Sequence, residues 1–307
     1  MTLFALLLTL LIDQAWRPGV GVQRILALDA WAQWVRRQLD AGQAAHGWLV
    51  WAVAVGVPVL LAWAVHLLLW QVQGLLAFAW HVAVLVATLG FRHFSLPFTA
   101  IRLALEGGDE ARARALYAEW RGVGAVDWPR EELLRRLLAH AALDAHRHVL
   151  GVAVAYVLLA ALGLGPAGAV LYRLAQQLAQ RWGGEGGMAG DPVSPAVAQA
   201  ATRGWHVVDA LPARATALAF AVVGHFEDVL ERWRAQAGAW TEASDTLLLA
   251  ATEGAVHVRL LPAQEVTAAD GLMEPQLSHL AALVGLVWRS VVFGLLLLGL
   301  ALLVRLF

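Results

Sequence analysis

Apolar residues fall in long runs along this chain, and the polar positions between them are grouped rather than scattered. Residues 48–69 make an apolar run long enough for a membrane span, with Pro58 inside it and His66 near one end. The polar stretch 71–73 reads as a turn, and residues 74–90 return as a second span carrying His81. So short a link makes the two spans antiparallel neighbours. A third apolar stretch covers 149–174, and a last span covers 280–306 with Arg289 inside it. Residues 3–12 and 213–224 are too short to cross unaided and are expected as half-helices; the second is either re-entrant or joined to a flanking helix. The first lacks a basic leader and a cleavage site, so no signal peptide is expected; it ends at Asp13, before Arg17, Pro18 and Gly19.

The intervening segments are helical by period but polar. Residues 25–39 alternate apolar positions with Asp29, Arg36 and Arg37, which predicts an amphipathic helix on the membrane surface. Residues 91–147 hold the densest arginine cluster, which places this helical region on the cytoplasmic side and the turn at 71–73 on the other. Within it, Gly107-Gly108-Asp109 leads into a helix carrying Arg112 and Arg114. Residues 181–195 are Gly- and Pro-rich and read as a linker, followed by a short helix over 197–208. Residues 226–278 are polar and acidic and read as a helical extramembrane region, on a side the pattern leaves open. The expected fold is therefore all-α and polytopic. It has three to four spans plus broken or re-entrant half-helices, in a single membrane domain over 1–307.

One element organises the middle of the chain. Asp127 is placed to cap a helix, Pro129 suits its first turn, and Glu131 and Glu132 favour its positive end. The helix turns apolar from Val149 and meets Gly163, Gly165, Pro166 and Gly168, which break it. A broken helix at membrane depth persists only where protein or water satisfies its freed backbone groups. Just before the apolar half, His140, Asp144, Arg147, His148 and Gly151 fall on one helical face. An acid flanked by imidazoles, as in His140, Asp144 and His148, suits a divalent metal or a phosphate-bearing ligand. The same stripe equally suits a polar face shown to lipid headgroups, and both readings stay open. Pro212 reads as a helix start, which puts Arg214 in the first turn. A charge at membrane depth costs about 2.5–3.5 kcal/mol on insertion scales unless it finds a partner. The candidate partners are Asp209, Asp144, Asp13 or a bound anion.

Composition agrees with the pattern: 60% of the 307 residues are hydrophobic and 15% charged, with a mean hydropathy of +0.63. Soluble domains are usually about a quarter charged. A net charge of −1 gives no reason to expect a nucleic-acid partner. With no cysteine there is no disulfide, thiolate metal site or cysteine nucleophile. Trp48, Trp51, Trp70, Trp80 and Trp288 lie near the ends of apolar runs, as interfacial belts require. Neither a P-loop, a dinucleotide fingerprint nor a zinc-protease motif is present.

Several stretches together resemble a known group of proteins. They are the opening MTLFALLLTLLID, GGDEARARAL, EELLRRLLAHAALDAHRHVLGVAVAY, GPAGAVLYR and VVDALPARATALAFAVVGHFEDVLERW. The chain resembles the AmpE family within the CobD/CbiB superfamily of membrane cobalamin-biosynthesis proteins, over nearly its full length. The resemblance implies a bacterial inner-membrane, multi-pass protein. AmpE-type members are linked to regulation of β-lactamase induction and cell-wall recycling. CobD/CbiB members join an aminopropanol unit to a corrinoid acid through an amide bond, giving adenosylcobinamide phosphate.

Position by position, Asp13 matches the enzyme branch, whereas Arg17-Pro18 stands where His-Pro is expected. Asp109 with Arg112 or Arg114 matches its Gly-Asp…Ala-Arg element. Gly165, Pro166, Gly168 and Tyr172 are retained, as are Pro212 and Arg214, with Asp209 preceding them. His140, Asp144 and His148 stand where that branch carries Glu, Glu-Asn and Asp, and its Thr-Leu-Asp-Ser-Met stretch is replaced. The lost carboxylates weigh against Mg²⁺–phosphate chemistry, because Mg²⁺ takes oxygen ligands. The expectation is thus an AmpE-like regulatory protein rather than an enzyme. A cobinamide-phosphate synthase is the alternative, and a transporter or lipid-binding protein the third reading. The expected partners are the lipid bilayer and a phosphorylated or anionic small molecule, with a homo-oligomer compatible. A divalent cation is the one cofactor the residues suggest. The ligand-binding candidates are Asp13, Asp109, Arg112, Arg114, His140, Asp144, Arg147, His148, Tyr172, Asp209 and Arg214.

Overall fold

A computed structural model describes residues 1–15, 28–124, 127–183, 193–235, 244–261 and 271–304. The Arg17–Gly19 segment, most of the 181–195 linker and parts of 226–278 lie outside the described residues. In chain order the helices are α1 (Thr2–Ala15), α2 (Leu28–Leu39), α3 (Ala44–Val72), α4 (Gly74–Thr88), α5 (Phe91–Glu106), α6 (Glu110–Arg121) and α7 (Arg130–Ala145). A π-helical turn (His146–Leu150) then leads into α8 (Gly151–Ala161), followed by α9 (Ala167–Trp182), α10 (Pro195–Val223), α11 (Phe226–Ala235), α12 (Ser244–Val256) and α13 (Leu277–Val304). The only β pairing among the described residues is an isolated bridge between Val258 and Met273. The expected all-α polytopic membrane class is what the structure shows.

Among the described residues, five helical stretches are long and apolar enough to cross a bilayer: Ala44–Val72, Gly74–Glu106, Arg130–Ala161, Pro195–Val223 and Leu277–Val304. Their outward faces are apolar. Leu60, Leu61 and Leu68 on α3 are 59%, 60% and 62% exposed, and Leu296 on α13 is 67% exposed. Such a band is costly against water and costless against lipid. The 15-residue α4 reaches about 22 Å, short of a hydrocarbon core of about 30 Å. The crossing stretch therefore includes α5, which the sequence pattern had assigned to a polar region. The expected half-helix over 213–224 is the end of the 29-residue α10.

The chain divides into two compact units. The first comprises residues 1–90 and 151–212. Its α3 and α4 are joined by a single extended residue, Gln73, whose N–H closes the end of α3 on the Leu69 carbonyl. α1 lies on α4, α2 lies on α3, and α9 packs against both α8 and α3. Pro58 sits inside α3 without ending it. A proline supplies no N–H, so the carbonyl four residues earlier, on Ala54, loses its helical donor. The Trp31 indole N–H of α2 donates to that carbonyl at 3.2 Å. The break before α9 falls where expected. Gly165 adopts φ +56°, and a Cβ there would collide with the His66 ring, so both conformation and space demand glycine.

The second unit comprises residues 91–150 and 213–307. Its core is built from Phe94, Phe98, Ile101 and Leu105 of α5 with Leu133, Leu137 and Leu138 of α7. α12 packs on α7, α11 and α13. The Glu253 carboxylate of α12 accepts the Leu260 and Leu261 N–H groups at 2.6 and 2.7 Å, fixing the chain that leads to the Val258–Met273 bridge. Two local expectations need correction. The residue capping α7 is Pro129, and Asp127 is exposed outside the helix; the proline's fixed φ, at −59°, already sets the entry. Pro212 lies inside α10 rather than starting it. Arg214 is therefore mid-helix, and the argument from an unfavourable helix start lapses.

Candidate functional site

In the second unit, the organising helix carries its polar stripe as expected, but the π-helical turn divides it. Such a turn adds a residue to the helical repeat, so positions beyond Ala145 no longer follow a 3.6-residue count. His148 Nδ1 lies 3.3 Å from Asp144 Oδ1 and 3.1 Å from the Asp144 backbone carbonyl. The third group at this carboxylate is His93 of α5, whose Nδ1 is 3.7 Å from Asp144 Oδ2. The His93 and His148 rings stack with centroids 4.7 Å apart and planes 5° from parallel. Asp144 is 7% and His148 5% exposed, whereas the His93 side chain is open to solvent. Asp144 Oδ2 is buried and accepts no hydrogen bond among the described residues.

The other stripe residues turn elsewhere. His140 sits against the Trp120 ring at 4.4 Å and the Tyr117 ring at 6.3 Å, where the aromatic faces of α6 take up its apolar surface. Arg147 is ion-paired to Asp245 of α12 at 2.5 Å. The neighbouring His146 Nδ1 meets the Thr216 hydroxyl at 2.9 Å, both groups buried. The trio expected from spacing, His140 with Asp144 and His148, is thus replaced by His93 with Asp144 and His148. His93 lay in a region read only for its arginines, and no local spacing ties it to Asp144.

Three further candidates of this unit lie on or just before α6. Asp109 is exposed and caps α6 by accepting the Arg112 N–H at 3.0 Å. The Arg112 side chain is exposed. Arg114 donates to the Trp128 carbonyl at 2.9 Å and to Glu110 at 3.0 Å, tying α6 to the start of α7. Arg214 is half-buried on α10.

In the first unit, Asp13 is half-buried on α1. The Tyr172 hydroxyl donates to Asp209 Oδ1 at 2.7 Å, with both residues fully buried. Trp205 meets the Tyr172 ring edge-on at 5.0 Å. Gly151 opens the space for the Tyr172 hydroxyl, since any Cβ there would overlap it. Gly151 and the retained Tyr172 therefore form one contact. A second buried polar chain runs from Tyr156 through His81 to His66. His81 Nδ1 is 2.8 Å from the Tyr156 hydroxyl, and His81 Nε2 is 3.1 Å from His66 Nδ1. One consistent proton assignment has Tyr156 donating to His81 and His81 donating to His66. The two histidines were visible as polar positions inside spans; Tyr156, in an otherwise apolar run, was not.

As a donor set, two imidazole nitrogens and one carboxylate do not suit Mg²⁺, which takes near-octahedral oxygen ligands.

No protein-family profile matches the chain, and no solved structure matches it. Among curated proteins, it is 30% identical over 298 residues to the cobalamin biosynthesis protein CobD of Stutzerimonas stutzeri strain A1501, covering 94% of this chain and 92% of that protein. It is 32% identical over 179 residues to the cobalamin biosynthesis protein CobD of Chromobacterium violaceum, covering 58% of this chain and 54% of that protein. These relatives overturn the expected AmpE-like role in β-lactamase regulation. That expectation weighted a handful of replaced acids above similarity running along almost the whole chain. The chain belongs to the CobD family of cobalamin biosynthesis proteins.

Proposed function

We propose that this protein acts in cobalamin biosynthesis from the bacterial inner membrane, as a cobinamide-phosphate synthase of the CobD/CbiB type. In this reading it joins the amino group of an aminopropanol unit to a carboxyl group of a corrinoid acid. The amine nitrogen bonds to the carboxyl carbon, one carboxyl C–O bond breaks, and that oxygen leaves as water with the two protons the ammonium nitrogen gives up. The observation that carries the proposal is similarity over 94% of the chain and 92% of a CobD relative. The retained framework supports it: the Gly165–Pro166 break, and Tyr172 held between Gly151 and Asp209. Half-buried Arg214 is the candidate for an anionic group of the substrate.

The test is complementation of a bacterial strain that lacks its cobinamide-phosphate synthase. Cobalamin-dependent growth without added cobinamide is the expected result. Failure to rescue, with the protein detected in the inner-membrane fraction and an authentic synthase rescuing in parallel, rejects the proposal.

A further inference from the structure

We propose that His93, Asp144 and His148 form a binding site for one divalent transition-metal ion of the Zn²⁺ class, selective against Mg²⁺. The inference goes beyond the proposed reaction and does not rest on it.

The first support is geometric. One ligand-capable atom from each residue lies within 4.8 Å of the other two. Bonds of about 2.0–2.1 Å in a tetrahedral zinc site place neighbouring donor atoms about 3.3 Å apart. The His148 Nδ1–Asp144 Oδ1 separation of 3.3 Å already equals that edge. His93 Nδ1 lies 3.7 Å from the other carboxylate oxygen, Asp144 Oδ2, so sharing one metal with His148 requires a closure of the His93 side chain. His93 is the partner free to make it, because its side chain is 48% exposed.

A second support is the carboxylate. Asp144 is more than nine-tenths buried, and its Oδ2 accepts no hydrogen bond among the described residues. A buried carboxylate oxygen without a donor is expensive, and a cation at this point satisfies it. The two imidazole rings stack beside the same acid with planes 5° from parallel. The π-helical turn supplies the local distortion, since such turns recur where a helix presents functional groups.

The rival arrangement is a proton rather than a metal. His148 Nδ1 is close enough to share a proton with both Asp144 Oδ1 and the Asp144 carbonyl. A metal bound through Nδ1 takes that proton's place, and the proton passes to solvent. Choice of metal follows from the ligands: two nitrogens and one oxygen suit Zn²⁺, Co²⁺ or Ni²⁺ and not Mg²⁺. The open side at His93 leaves room for water or a substrate oxygen as a fourth ligand.

The full chain, purified in detergent with a tag free of histidine and stripped with EDTA, is titrated with Co²⁺ and followed by its visible absorption. Zn²⁺ and Mg²⁺ are then added as competitors. One Co²⁺ per chain is expected, displaced by equimolar Zn²⁺ and untouched by millimolar Mg²⁺. His93→Ala, an exposed change that leaves the core intact, weakens binding at least tenfold, as does Asp144→Asn; His140→Ala leaves it unchanged. Absence of stoichiometric binding overturns the proposal. So does binding that persists unaltered in His93→Ala, that depends on His140, or that Mg²⁺ abolishes.

Discussion

Pro58 and Trp31 provide a test of how a proline is tolerated inside a membrane helix. Replacing Trp31 with Phe keeps most of the aromatic surface and removes the indole donor that reaches the Ala54 carbonyl at 3.2 Å. Ala54 is 1% exposed, so water does not take over the lost bond. Leaving a buried acceptor unsatisfied costs about 1–3 kcal/mol. Measured side-chain hydrogen bonds between membrane helices average about 0.6 kcal/mol and reach about 1.7. Because Pro58 has removed the helical alternative, the upper part of the membrane range applies, and we expect a loss of about 1–2 kcal/mol. The assay is reversible unfolding in mixed detergent micelles, run as a double-mutant cycle with Pro58→Ala. Alanine at 58 returns an N–H to the Ala54 carbonyl, so Trp31→Phe in that background should cost at least 1 kcal/mol less. An equal cost in both backgrounds would show that Trp31 contributes packing alone and would refute the argument.

Other outcomes follow from the same contacts. Gly151→Val drives a side chain into the Tyr172 hydroxyl; overpacking of this kind costs about 1–3 kcal/mol, read as a lower detergent unfolding midpoint. Tyr156→Phe removes the donor facing His81 Nδ1 and is expected to cost about 1–3 kcal/mol by leaving a buried acceptor unmet; an unchanged midpoint would reject the assigned proton order. Arg214→Lys keeps the charge and loses the planar fork, so complementation should fall while membrane levels stay constant. Cysteine labelling in intact cells should reach position 73 from the periplasm and not position 119; labelling of both rejects the arginine-based orientation.

Hydropathy made most of the scaffold legible. α3 and α13 are long apolar runs, and Gly163–Pro166 marks a real interruption because a φ of +56° at Gly165 suits few other residues. Pattern reasoning failed where tertiary contacts outvoted a local signal. Pro212 reads as a start yet lies within a continuous helix. Asp109 is named through its match to the Gly-Asp…Ala-Arg element, and the structure shows it also capping the helix that follows, a common use of Asp before a helix. His93 was invisible because helical spacing relates residues on one helix, and its partner Asp144 lies on another.

The misjudged role has the same origin. Losing acids at positions where relatives carry them was taken as loss of chemistry, with each position weighed alone. In the folded chain the polar groups are redistributed rather than missing. Asp144 works with imidazoles from two helices, Tyr172 delivers its hydroxyl to Asp209 across a gap only glycine at 151 allows, and His146 reaches Thr216. Apart from Asp144 with His148, each pair joins residues far apart in the chain, and burial raises the cost of breaking the buried ones. Contacts of this kind are set by the fold, so the likeness to a relative shows over 94% of the chain rather than in any single acid.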